Sequence, residues 1–291
     1  MKNNRRTFLK HAGIAAAGLM LMPGLGCMAA AKPKKIGLQL YSLRNEFSKG
    51  VENVIKEVAK AGYKTVETYG YSIEKGYWGL TPVEFKALLD KYKLASPSAH
   101  LDFGTWEKTQ DDTILEAYIK AAKIVGQTYI IVPHISPELF KSEQWIRGFA
   151  VKLNRAGEIV KKAGLKLAYH NHAFEFEQFG NKTGYDILLE DTNKDLVEFE
   201  IDLYWAVRAK QDVISLFEKN PGRFPMWHIK DMSKSDPTKN TEIGNGSIDF
   251  SQFFKEAKLA GLKYMYVEQE NFDIDPYESI QKSFTFLKEM K

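Results

Sequence analysis

The chain holds a single cysteine, Cys27, in 291 residues. A disulfide needs two thiols, so none can form within the chain and the fold must rest on core burial. A long apolar run is also missing. The candidate, Ala12 to Leu25, falls short of the roughly 20 residues that a bilayer requires and is rich in Gly and Ala. No glycine-rich phosphate turn follows the first β-type run, which argues against an open doubly wound sheet, the alternative architecture considered below. Nor does a linker or low-complexity stretch divide the chain after its first segment.

Surplus positive charge is absent once that first segment is set aside. "NNRRTFLKHAGIAAAGLMLMPGLGCMAAAKPKK" pairs Arg5 with Arg6, continues through Phe8, Leu9 and Lys10, and passes through a short apolar core to Ala29-Ala30-Ala31. Charged start, apolar core and small-residue site are the three parts of an export signal, and "RRTFLK" resembles the twin-arginine type. The reading is a signal over residues 1–31, cleaved after Ala31, and a periplasmic or otherwise exported domain over 32–291. Cys27, preceded by Leu25-Gly26, is the alternative processing point, as a lipid-anchored lipoprotein. The signal carries Lys2, Arg5, Arg6 and Lys10 and no acid, so of 41 basic and 37 acidic residues, 37 of each remain. A formally neutral domain offers no electrostatic case for binding nucleic acid.

What is present is a rhythm. Eight short β-type runs recur: "IGLQLY" (36–41), "KTVETY" (64–69), "LASPSAH" (94–100), "TYIIVPH" (128–134), "LKLAYHNH" (165–172), "VEFEID" (197–202), "MWHIKD" (226–231) and "YMYVEQE" (264–270). Amphipathic stretches such as "VENVIKEVAKAG", "TPVEFKALLDKY" and "DFSQFFKEAKLAG" lie between them. Thr81-Pro82 and Asp249 are helix starts; Gly62, Gly164 and Gly261 are stops. Eight strand–helix units in about 260 residues predict a (β/α)8 TIM barrel forming one catalytic domain.

Alternation along each strand then assigns faces. Val197, Phe199 and Ile201 share one face of the sixth run, leaving Glu198, Glu200 and Asp202 on the other. The same parity groups Lys166, Ala168, His170 and His172 in the fifth, Met226, His228 and Lys230 in the seventh, and Tyr266, Glu268 and Glu270 in the eighth. With the apolar face toward the helices, these polar residues point inward at the catalytic end of a barrel. The earlier runs add Gln39, Glu67, His100 and His134. His134, between Pro133 and "ISPELF", is read as an ordinary loop residue, and Glu200 with Lys166 as a buried polar pair deeper in the barrel. Collecting His170, His172, Asp202, His228 and Glu268 in one ring would crowd carboxylates with no cation to offset them. A divalent ion resolves that conflict, and mixed nitrogen and oxygen ligands suit manganese, cobalt, zinc or iron.

At these residues the chain resembles the sugar phosphate isomerase/epimerase family of xylose isomerase-like barrels. The marks are "IGLQLYSLR", "YHNH", "EIDLYW", "HIKD", "IGNGSIDF" and "VEQE", in that order over essentially Lys34 to Lys291. The resemblance implies one divalent metal held by residues ending strands five to eight, usually Glu, Asp, His and Glu. Asp202, His228 and Glu268 match three positions, and His170 stands where the family has the Glu that also serves as a proton-transferring base. The expected ligand set is therefore His170, Asp202, His228 and Glu268, with His172, Glu175 and Lys230 as the candidates for proton transfer. His172 is preferred because an unperturbed imidazole titrates near neutral pH. Gln39, Glu67, His100, Trp205 and Arg208 are expected to face the substrate.

The chemistry that the resemblance implies is enolate formation on a keto-sugar or sugar derivative, with a divalent ion stabilising the charge. Reprotonation gives an isomerase or epimerase; loss of a β-substituent gives a dehydratase or lyase. "YHNH" and "IGNGSIDF" look closer to the inosose dehydratase branch and to lyases acting on 3-keto-glycosides. A non-catalytic exported sugar-binding barrel is a third reading. Trp78, Trp106 and Trp205 are placed to stack on a sugar or to pack the loops. Arg44 and Arg208 are the nearest candidates for a phosphate, without a phosphate motif around them. A homo-oligomer is left open.

Overall fold

The computed structural model of the protein describes residues 36–290; the expected signal, its cleavage point and Cys27 lie outside them. Eight parallel strands close in the order β1-β8-β7-β6-β5-β4-β3-β2, so no barrel edge is left to be paired. They are β1 Ile36–Gln39, β2 Thr65–Thr68, β3 Ala95–His100, β4 Tyr129–Val132, β5 Lys166–His170, β6 Val197–Asp202, β7 Met226–Ile229 and β8 Tyr264–Val267. A helix follows each strand: α1 Val51–Lys60, α2 Pro82–Lys91, α3 Asp112–Val125, α4 Glu143–Lys162, α5 Gly184–Asp191, α6 Val213–Lys219, α7 Phe250–Lys255 and α8 Pro276–Glu289. This is the expected (β/α)8 barrel, and an open doubly wound sheet is excluded.

The local causes are those visible in the sequence. Thr81 and Glu84 form a reciprocal capping box ahead of α2, with Pro82 in its first turn. Thr183 and Asp186 do the same for α5, satisfying amides that have no partner inside the helix. The runs end sooner than read, however. The first stops at Gln39 and turns into a 3-10 helix over Leu40–Leu43, and the seventh stops at Ile229, so Lys230 lies just past its strand.

The main core lies between the barrel wall and the helices. Inside the barrel, Tyr129, Ile131, Ala168, Met226 and Tyr266 form a smaller apolar cluster, each large side chain contributing about 1.5–3 kcal/mol by burial. Gly37 admits Tyr266 to this space, for a Cβ there would stand 2.4 Å from the Tyr266 ring. Above the plug, the interior turns polar.

The register corrects one pairing. Ala168 lies beside Glu198 and His170 beside Glu200; Lys166 donates to Glu198 at 2.6 Å. Glu200 is therefore not the partner of Lys166 and faces histidines instead. No helix among the described residues is long and apolar enough to cross a membrane.

Candidate active site

A cavity of about 460 Å³ opens where the strands end, the end from which barrel enzymes work. Its floor and walls carry His100, His170, His172, Trp205, Lys230 and Glu268, all named from the sequence. Register brings Asp202 beside His228 and His228 beside Tyr266, so three strand ends converge.

Asp202, His228 and Glu268 each offer a ligand atom within 4.8 Å of the others. His228 Nδ1 is 2.7 Å from Glu268 Oε2. Asp202 Oδ1 caps the short helix Leu203–Arg208 by accepting the Trp205 amide at 3.0 Å, while its buried Oδ2 accepts no hydrogen bond. Lys230 Nζ lies 3.2 Å from that oxygen, 3.0 Å from Glu268 and 2.9 Å from Glu270. A buried carboxylate oxygen whose nearest partner is the Lys230 ammonium, beside a second carboxylate and an imidazole, is a donor set that fits a divalent ion.

His170 stands between this set and a deeper one. Its Nε2 is 3.9 Å from Asp202 Oδ2 and its Nδ1 is 3.2 Å from Glu200 Oε2. His100, His170, Glu200 and His228 make a second group whose ligand atoms are equally close. The structure thus groups the fourth expected ligand, His170, with the deeper set and leaves it 3.9 Å from Asp202; sequence reasoning missed Glu200 as its neighbour because the assumed partner was Lys166.

Burial and charge set the protonation of these groups. Burial opposes a proton on His100, but the Glu67 and Glu200 carboxylates overcome it and lift the imidazole to about 9. Glu200 is pushed up to about 7 by burial and by Glu67. Lys230 stays an ammonium, since burial works against its charge and Asp202, Glu268 and Glu270 more than offset that. Burial, then the charges on His228 and His100, hold His170 well below the usual range. Burial and then Lys230 push His172 down to about 3. His172 is therefore a neutral acceptor at physiological pH and does not titrate near neutrality as expected, because the protein packed around its ring and the Lys230 charge disfavour the imidazolium.

Other expected residues are placed differently. Gln39 and Glu67 are fully buried beneath the cavity, the Gln39 amide donating to Glu67 at 2.7 Å. Neither lines the cavity, so neither faces a substrate. Arg208 lies over the Trp205 ring at 5.0 Å and donates to the Tyr204 hydroxyl, outside the cavity lining. Glu175 is fully buried, and the 3-10 turn Phe174–Phe176 folds it back to accept from Tyr169 Oη and the His172 amide, each at 2.8 Å. It holds the His172 segment in place and does not reach the cavity. Trp78 stacks on Phe47 at 3.9 Å, and Trp106 is buried in the core. Lys230, a candidate for proton transfer, is held as an ammonium and can only donate.

His134, read as a loop residue, does line the cavity, its ring 5.3 Å from that of His172. Tyr41, Tyr69 and Tyr71 form the wall after β1 and β2, opposite His134, His172 and Trp205 after β4, β5 and β6. The available signal was position alone, each following the end of a strand.

"HIKD" and "IGNGSIDF" prove to be one unit. The Asp231 carboxylate accepts the amides of Met232, Gly244, Gly246 and Ile248 at 2.8–3.1 Å. A Cβ on Gly246 would stand 2.2 Å from Asp231 Oδ1, so only glycine lets the loop close on the carboxylate.

A family model described as xylose isomerase-like TIM barrel matches residues 55–290. An inosose dehydratase of Clostridium perfringens is 26% identical over 272 residues, covering 82% of this chain and 89% of that one. A crystal structure of a sugar phosphate isomerase/epimerase from Parabacteroides distasonis superposes with a TM-score of 0.76 at 29% identity, covering 91% of this chain and 97% of its own. A structure of an IOLI protein with a binding zinc atom has a TM-score of 0.67 at 15% identity, covering 86% and 95%, a likeness of fold alone.

Proposed function

The chain belongs to the xylose isomerase-like TIM barrel family, and we propose that it is a divalent-metal-dependent enzyme that removes an α-proton from a keto-sugar or sugar derivative. The observation that carries this reading is the convergence of Asp202 and His228, fully buried just beneath the cavity, with Glu268 on its lining. His170, Asp202, His228 and Glu268 would hold the ion, which supplies Lewis-acid stabilisation of the charge developing on a carbonyl oxygen. His172, neutral and at the cavity wall, is placed to accept the proton, as a base weakened by burial and by the Lys230 charge. Lys230, held as an ammonium, donates a hydrogen bond to developing negative charge or a proton to a departing oxygen. Trp205 offers an aromatic face on the same side.

Two fates are open to the enolate. Reprotonation makes the chain an isomerase or epimerase, the activity named for the Parabacteroides structure. β-Elimination makes it a carbon–oxygen lyase, in line with the dehydratase relatives. Incubation of the metal-loaded protein with keto-sugars and 3-keto-glycosides in deuterated water tests both. Deuterium in recovered sugar marks reprotonation, release of the β-substituent marks elimination, and binding with neither marks a non-catalytic sugar-binding barrel.

A further inference from the structure

We propose that Glu67 is a positioning residue for His228, fixing the ring so that Nε2 carries the proton and Nδ1 is presented to Asp202 and Glu268. The inference rests on the reading of those residues as an ion site.

The His228 ring lies between two carboxylates on opposite edges. Nε2 is 2.7 Å from Glu67 Oε2, and Nδ1 is 2.7 Å from Glu268 Oε2. Glu67 and His228 are both fully buried, so water cannot replace either contact. An ionised carboxylate only accepts hydrogen bonds. With a carboxylate on each edge both ring nitrogens face acceptors; an ion taken up on the Asp202 and Glu268 side would displace the Nδ1 proton and leave Nε2–H donating to Glu67. Hydrogen bonding at one nitrogen is the general device by which a protein sets the ligating nitrogen of a histidine.

Glu67 is itself held rigidly. Register sets Gln39 and Ser98 on its two sides. The Gln39 amide donates to its Oε2 and the Ser98 hydroxyl to its Oε1, and Ser98 is in turn 2.9 Å from the Tyr266 hydroxyl. Other approaches to His228 Nε2 are longer, Glu200 standing 3.3 Å away. The carboxylate reaches across the interior from β2 to β7, and its burial below the cavity leaves it no substrate to touch.

The test uses zinc as the probe. In Glu67→Gln the charge is lost at constant shape, and zinc affinity of the folded protein by calorimetry should weaken 10–100-fold, alongside a lower melting temperature because His100 and His228 lose a buried carboxylate partner. A merely structural role would lower the melting temperature and leave the affinity of the folded fraction unchanged, and that result overturns the proposal. Should Glu67→Gln not fold, nitrogen-15 spectra of zinc-loaded wild type decide: Nε2–H on His228 supports the assignment, and Nδ1–H refutes it. His228→Ala separates the two levels. Zinc kept by that variant sinks the ion site itself; zinc lost there but unchanged in Glu67→Gln sinks only the role of Glu67.

Discussion

Lys230 Nζ stands 3.2 Å from the Asp202 oxygen that accepts no hydrogen bond, and 3.0 Å from Glu268. A lysine ammonium and a divalent ion therefore compete for the same two carboxylates. Lys230→Met removes the resident cation and leaves buried charges unpaired, which costs about 3–5 kcal/mol. Without added metal this variant should melt well below wild type. Added manganese or zinc should raise its melting temperature more than that of wild type, through tighter binding. An equal metal-induced rise in both proteins would refute the competition.

His172→Ala should keep one metal per chain and lose roughly 10²–10⁴-fold in turnover. His170→Ala, Asp202→Ala and His228→Ala should lose the metal by elemental analysis. Exchange of the substrate α-proton at the wild-type rate in His172→Ala would move the base elsewhere, and His134 would be tested next.

Glu175 predicts a pH effect on stability. Burial pushes its carboxyl up to about 8, so the folded state holds a proton that the unfolded chain releases in the ordinary carboxyl range. Its contribution is thus fully present below that range and is lost as pH rises toward 8, at up to ~1.4 kcal/mol per pH unit. Glu175→Gln should flatten this slope in denaturant titrations from pH 5 to 9. Parallel profiles for the two proteins would disprove the assignment.

The signal reading predicts secreted protein beginning at Lys32. Changing Arg5 and Arg6 to Lys should abolish export, and normal export would exclude the twin-arginine route. A lipid-bearing Cys27 as the first residue would establish the lipoprotein alternative.

Much of this architecture was legible in the sequence because period-two alternation and glycine stops are local signals. They placed all eight strands and put Asp202, His228 and Glu268 on inward faces. Distance across the barrel was not legible. Glu67 and His228 are 161 residues apart and meet at 2.7 Å, and only closure of the barrel makes them partners. The same limit sent Glu200 to Lys166, when register sets it beside His170. Glu175 failed for a different reason: proximity in sequence to "YHNH" says nothing about the turn that carries its side chain behind the wall.

The four amides gathered by Asp231 bear on inheritance and on engineering. Neither half of the pair is useful without the other: Asp231 alone would be a fully buried acid lacking its donors, and the glycine-containing loop alone would lack its anchor. The two segments should therefore be exchanged between relatives only as a set. A chimera that imports "IGNGSIDF" into a barrel without the aspartate, or the aspartate without Gly246, should give a misplaced loop and a poorly formed mouth, whereas transplanting both together should leave the recipient intact.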